Sequence, residues 1–427
     1  MKKPGPPAPA PRTSACTSCC LMTCKAMCWA VVAWLVFLTV APMVLDWMEA
    51  SPAGLESAAG GAEPAAGTLV EDVLPGDKLA AGGVAGVFPV VILPGITSTS
   101  LEVWKARPCM KNHFRKKLWG DAAVLTWALT NPSCFLEHLL LDENGLDPPG
   151  IKLRPASGLH AADVLMSTYS LWSAIIQNLA ALGYDESNLA MASYDWRLAY
   201  PNLEHRDGYY SRLQRDIETL QALNHGNKVV VVAHSMGCNV FLYFLQWVSA
   251  TDPAWADAHI KAFVPIAAPF LGVPKALSAL ISGEMRDTAD LPSFLSFMRG
   301  FLNRNLFQRI QSVAGMLPMG GAAFWPSSVA DPDPDELVWA GFDAADGPVG
   351  PDCPTPSRPL GKQAAMELLE AVVPDFMRRM AAHYSWAPST PLPAGTADNT
   401  TWNNPLASVL PHAPDMEIFC GLCAGGW

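Results

Sequence analysis

The 427-residue chain is half apolar, only 16% charged, and carries a net charge of −11. That acidic balance, with no basic groove in the sequence, argues against nucleic acid as a partner. The low charge content suits a protein that works against a membrane, and the length allows one elaborated domain or two.

Residues 1–25 are rich in proline, contain Lys2, Lys3, Arg12 and Lys25, and carry no acid. Ala26–Leu45 follows without a charge. At the helical rise of about 1.5 Å per residue it spans ~30 Å, one hydrocarbon thickness. Trp29 and Trp47 lie near its ends, and Asp46 and Glu49 follow it. Cations before and acids after predict a single-pass transmembrane signal anchor, with residues 1–25 cytoplasmic and the remainder lumenal in the endoplasmic reticulum. A cleaved signal peptide and a plastid transit peptide are the competing readings. Five of the eleven cysteines (Cys16, Cys19, Cys20, Cys24 and Cys28) crowd the N-terminal tail. They read as palmitoylation candidates rather than a zinc site, because no second ligand pair accompanies them. On the far side, Asn399-Thr400-Thr401 is a glycosylation acceptor. Residues 46–86, rich in Ala, Gly and Pro, read as a flexible stalk without a fold of its own.

Residues 87–427 read as one large folded domain. Val87–Leu93 is a β-run ending at Pro94-Gly95. Leu171–Leu182 has helical periodicity and stops at Gly183, a C′ glycine. Leu189–Tyr194 reads as a strand, Arg206–Asn224 as a polar amphipathic helix, Ile260–Ala267 as another strand. Gln363–Ala382 reads as a helix and Met416–Cys420 as a last strand. The alternation predicts an α/β fold with a doubly wound, mostly parallel sheet. Long inserts at about 98–165 and 270–360 would form a cap over the strand ends.

Lys228–Gly237, KVVVVAHSMG, is the centre of this pattern. Four valines suit a strand buried on both faces, and Cys238–Val248 is an apolar helix. A serine at the sharp turn between them is the context of a nucleophile elbow, G-x-S-x-G, with Ala233 in place of the first glycine. The turn raises the Ser235 hydroxyl from the sheet and aims the Met236 N–H at a developing oxyanion. The competing reading is a serine that simply caps the helix.

Several stretches together resemble the lecithin:cholesterol acyltransferase family: VVILPGITSTSLEVW (90–104), FRKKLWG (114–120), GLDPPGIKLR (145–154), YDWRL (194–198), AHSMG (233–237), APFLGVPKAL (268–277) and PLASVLPHAPDMEIF (405–419). The resemblance covers about residues 85–419 and is strongest to the branch that takes phospholipid as acyl donor and diacylglycerol as acceptor. It implies an α/β-hydrolase fold, a membrane setting, and products triacylglycerol and lysophospholipid. It implies no cofactor: neither acyl-CoA, metal nor nucleotide. It makes Ser235 the nucleophile, Met236 one oxyanion donor and Leu159 the second. Asp195 and Arg197 match a salt-bridge motif, whose competing role is to orient the cap without doing chemistry. Cys109 and Cys134 match the cysteines that close a lid loop by a disulfide, and Trp104 its lipid-gripping tryptophan, with core packing as the competing role.

The pattern also departs from the family. Such enzymes place the triad aspartate in a D-G-D-x-T-V stretch after the segment matching Met416–Phe419, and the histidine later still. Here the chain reads CGLCAGGW to Trp427. His234, His259, His383 and His412, with Asp398 and Asp415, offer no evident substitute, so no triad Asp or His is assigned. The expectation is a truncated gene model or splice product, with an exposed sheet edge where strands are missing. A phospholipase or esterase of the same fold, and a catalytically incomplete lipid-binding fragment, are the competing functions.

Overall fold

The computed structural model describes residues 73–121, 127–128, 130–166, 169–170, 172–281, 283, 304–317, 342–343, 347–348, 368–384 and 415–419. The expected anchor at 26–45, the cysteine-rich tail, Asn399 and His412 lie outside these residues. Among the described residues, no helix is long and apolar enough to cross a membrane.

The central sheet is built from β1 (Val90–Leu93), β5 (Leu189–Met191), β6 (Val229–His234), β7 (Ile260–Ile266) and β8 (Glu417–Ile418). Strands β2 (Leu101–Lys105), β3 (Lys117–Trp119) and β4 (Lys152–Pro155) fall within the first long insert. The order is β8-β7-β6-β1-β5, and every neighbouring pair is parallel. The predicted parallel α/β sheet is therefore present, with β6 in the middle. Its valines are not uniformly buried. Val229, Val231 and Ala233 are inaccessible, whereas Val230, Val232 and His234 on the other face are half-buried. The first set packs under α6 (Met236–Ser249), and the second faces a smaller cluster around Trp172.

Several element boundaries differ from those the sequence predicts. Part of the expected stalk folds: α1 (Pro75–Ala81) starts with proline in its first turn and docks on α3 (Ser173–Ala181). Gly76 N–H donates to Asn178 Oδ1 at 2.7 Å, and a side chain at Gly76 would strike the Asn178 backbone. Helix α3 ends as expected, with Gly183 at φ 91°. The predicted helix Arg206–Asn224 is two helices, α4 (Tyr200–Asp207) and α5 (Tyr209–Leu223), broken by Gly208 in the left-handed region at φ 58°. Pro374, which cannot continue a helix from its N-terminal side, likewise begins α7 (Pro374–Tyr384) inside the predicted Gln363–Ala382 helix.

The first insert is an antiparallel sheet in the order β3-β2-β4, flanked by α2 (Pro132–Leu139). At the opposite end of the central sheet, β8 is an exposed edge: Ile418 and Phe419 are each more than half exposed. Lys261 of β7 ties it down through Glu417 at 2.6 Å.

Candidate active site

Ser235 stands between β6 and α6 with φ 51° and ψ −126°, a left-handed conformation that costs a non-glycine residue ~1 kcal/mol or more. Its side chain makes no capping bond to α6, so the serine is not an ordinary helix cap. The turn is fixed by its neighbours. Ser235 N–H donates to Ile266 O at 2.9 Å, and Cys238 Sγ reaches Ala233 O at 3.2 Å from below. Gly237 has no room for a side chain, since a Cβ there would lie 2.6 Å from Pro94 O and 2.7 Å from Leu93 O. The second glycine of the elbow thus exists to let α6 approach the end of β1.

Two further strand ends are strained at the same edge. Thr97, just past β1, has φ 59°, and Ala267, just past β7, has φ 48°. Three neighbouring parallel strands therefore end at their carboxyl termini in strained residues, the edge at which open α/β sheets bind ligands.

The loop after β1 was not singled out by the sequence as part of the site, yet it lies against the serine. A Cβ on Gly95 would come within 3.2 Å of Ser235 Cβ and 3.0 Å of His234 Nδ1. Three aromatic donors hold this loop by its carbonyls: Tyr194 OH to Pro94 O at 2.7 Å, Trp119 Nε1 to Thr97 O at 2.7 Å, and Trp196 Nε1 to Thr99 O at 3.0 Å. The L-W-G and D-W-R tryptophans are thereby explained, because both serve to shape the loop beside the serine.

Met236 is fully buried at the first turn of α6, as the elbow reading requires. Leu159 begins a short 3₁₀ turn, Leu159–Ala161, and packs with Ala156, Ala162 and Trp172 on the half-buried face. The Trp172 ring faces that of His234 with centroids 6.4 Å apart. Burial lowers the His234 pKa and keeps the ring neutral.

Asp195 and Arg197 are both inaccessible and pair bidentately, Nη2 to Oδ2 at 2.6 Å and Nε to Oδ1 at 2.8 Å. They do so from a turn, Leu198 N–H to Asp195 O, rather than from the strand end that the sequence suggests, because β5 stops at Met191. Arg206, eleven residues on and without a motif to mark it, also binds Asp195 Oδ2 at 2.7 Å and pairs with Asp207. Asp147 of the G-L-D-P-P-G stretch closes the network onto Arg154 and Arg206. Burial pushes the Asp195 pKa up, but Arg197 and Arg206 outweigh it and hold the carboxyl well below the usual range. Such a satisfied, inaccessible network is a scaffold, not a reacting group.

Cys109 and Cys134 form a disulfide between the segment after β2 and helix α2. His138 lies beside them, but the two sulfurs are bonded to each other and so do not offer a ligand set. Trp104 on β2 is 40% exposed, stacks edge-on against the more exposed Phe114, and lies under the Arg115 guanidinium at 4.8 Å. It is not a core residue.

The described histidines do not include a base in place for Ser235. His259 lies at the amino end of β7, whose carboxyl end carries the Ile266 carbonyl bound by Ser235; seven strand residues separate them by ~20 Å. His160 is exposed and pairs with Asp163, and His138 is enclosed by the disulfide. Asp415 is exposed and caps onto Asp257 through its N–H.

Comparison with known proteins adds the family. Residues 113–425 match the model of the lecithin:cholesterol acyltransferase family. The chain belongs to that family. Among its relatives, the phospholipid:diacylglycerol acyltransferase of Schizosaccharomyces pombe is 39% identical over 79% of this chain and 56% of its own length. The enzyme of that name from Saccharomyces cerevisiae is 32% identical over 88% of the chain and 61% of its own length. A human lysosomal phospholipase A and acyltransferase is 32% identical over 46% of the chain and 50% of its own length. The chain thus spans between half and two thirds of these family members.

Proposed function

We propose that this chain carries the nucleophile of an O-acyltransferase that takes an acyl chain from a phospholipid and passes it to diacylglycerol without acyl-CoA, yielding triacylglycerol and lysophospholipid. The observation that carries the reading is Ser235, lifted at φ 51° between the central strand and its helix with no capping bond. Relatives at 39% and 32% identity bear the name of that activity.

In this reading Ser235 attacks the phospholipid ester and forms an acyl-enzyme, and the lysophospholipid leaves. Met236 N–H supplies one oxyanion donor. The second comes from the Gly95–Thr97 loop in preference to Leu159, because a Cβ on Gly95 would already crowd Ser235 and the loop's carbonyls are engaged by Tyr194 and Trp119, which leaves its N–H groups to the site. A hydroxyl of diacylglycerol then takes the acyl group in place of water. Among the described residues no side chain hydrogen-bonds the Ser235 hydroxyl. The base and its acid partner are therefore sought outside them. Disulfide, Trp104 and antiparallel sheet together make the lid over the strand ends, and Ala26–Leu45 anchors the chain with its catalytic part in the lumen.

The test is incubation of the expressed chain with a fluorophosphonate probe, then with acyl-labelled phospholipid and diacylglycerol. Probe labelling abolished by Ser235→Ala, and label appearing in triacylglycerol, are the expected results. Failure to label Ser235 overturns the nucleophile, and labelled free fatty acid as the sole acyl product turns the chain into an esterase. Glycosylation at Asn399 in microsomes checks the topology; a C-terminal part open to protease from the cytosolic side refutes it.

A further inference from the structure

Helix α2 is tied to its surroundings at three successive points. Cys134 is bonded to Cys109, the Leu139 carbonyl accepts from the buried Arg197 Nη1 at 2.9 Å, and His138 lies between them. His138 is wholly inaccessible. Its Nε2 lies 3.1 Å from Arg107 N, which as a backbone N–H must donate, so Nε2 is the bare nitrogen. Its Nδ1 then carries the proton and donates to Cys134 O at 2.7 Å. Both ring nitrogens are used, and only the neutral ring with that one tautomer satisfies both bonds. Arg107 is two residues before Cys109 and three after Trp104, so the histidine grips the backbone between the lid tryptophan and the disulfide.

We propose that His138 is a positioning residue of the lid: its neutral imidazole clamps the Arg107 peptide to α2 and so holds Trp104 and the disulfide loop in place, and protonation of the ring releases them. A second proton on the ring would set two donors, Nε2–H and Arg107 N–H, against each other with no acceptor between. The charged groups around the ring reinforce the neutral form. The Arg107 guanidinium, ion-paired to Glu137 of α2, opposes a nearby imidazolium, and beyond Leu139 stands Arg197 with its partner Asp195. Burial first, and Arg107 after it, lower the pKa of His138. A group whose folded pKa is depressed contributes its hold above the ordinary imidazole value of about 6.5 and loses it as the pH falls below that. The clamp is thus complete at neutral pH and weakens toward pH 5. The role in lipid handling rests on the acyltransferase reading, but the clamp itself does not.

The full chain, its His138→Gln variant and its His138→Leu variant separate these points. Glutamine keeps an acceptor for the Arg107 N–H and does not titrate; leucine offers none. The first readout is the rate at which a water-soluble phosphine reduces Cys109–Cys134, followed by alkylation and mass mapping. At about pH 7.5 we expect His138→Leu to be reduced about tenfold faster than the native chain, and His138→Gln to stay close to native. Between about pH 7.5 and pH 5 the native chain should accelerate relative to His138→Gln. Equal rates for the native and leucine chains overturn the clamp, and a native pH profile matching that of glutamine overturns the release. Should the leucine variant fail to fold, the native-against-glutamine profile still decides. The second readout is turnover on phospholipid vesicles at about pH 7.5: a raised KM with little change in kcat in the leucine chain supports positioning, and a fall in kcat alone overturns it. Loss of transfer in every chain with the reduction rates ordered as expected would sink the acyltransferase reading and leave the clamp standing.

Discussion

The elbow and the disulfide loop that we propose as a lid are held in opposite ways. Around Ser235 the backbone is strained and the fit is steric: Gly237 admits no side chain, one at Gly95 would crowd His234 and Ser235, and three aromatic donors fix the facing loop. Around the disulfide loop that follows Trp104 the ties are discrete and chemical: a disulfide, a histidine bond to the Arg107 peptide and an arginine-to-carbonyl bond on α2. Steric fit places an atom to a fraction of an ångström but cannot be undone. Discrete polar ties place a segment less finely, yet each can be broken singly, which is what the proposed lid role requires.

The sharpest way to break that contrast is the shared floor. Asp195→Asn would leave Arg197 and Arg206 short of a counter-charge in an inaccessible site, and should cost about 3–4 kcal/mol of unfolding free energy in a denaturant titration, disturbing disulfide loop and elbow together. Because its pKa is depressed, this carboxylate's contribution is present above the ordinary range near pH 4 and is lost only as strong acid protonates it. Cys134→Ser should cost about 3 kcal/mol through the freed loop, while fluorophosphonate labelling of Ser235 survives. Loss of labelling would show that the lid also shapes the elbow. Gly237→Ala reverses the pattern: a stability loss of about 2 kcal/mol by thermal melting, but abolished labelling, since a methyl there meets the Pro94 and Leu93 carbonyls. Trp104→Ala should change stability by less than about 1 kcal/mol while raising KM on phospholipid vesicles, as its side chain is 40% exposed. An unchanged KM would leave Trp104 as surface decoration.

Most of the central sheet was legible, because β1, β6 and β7 are short apolar runs ended by turn residues. The elbow was legible because strand, serine, glycine and helix are contiguous. What escaped the sequence was non-local or carried no periodicity. The strands of the first insert mix lysine with apolar residues and pair across as many as 54 residues of chain, from Leu101 to Pro155, so they offered neither alternation nor a hairpin turn. Gly208 inside a polar helical stretch reads as a tolerated glycine until its φ is known. Arg206 sits on a helix and meets Asp195 only through the bend between α4 and β5. Gly95 and His138 matter through what touches them, and contact has no signature in composition. The stalk misled because an alanine- and glycine-rich stretch gives little reason to expect α1, which forms where α3 offers a surface.

Ser235 shares its unusual dihedral with Thr97 and Ala267, one at the end of each of three adjacent strands. Glycine would relax the latter two positions and raise the melting temperature of the domain. With threonine and alanine there, the rim is stiffer than glycine would make it, at the cost of strain. Engineering this protein for robustness would therefore risk blunting the one corner where stiffness matters most.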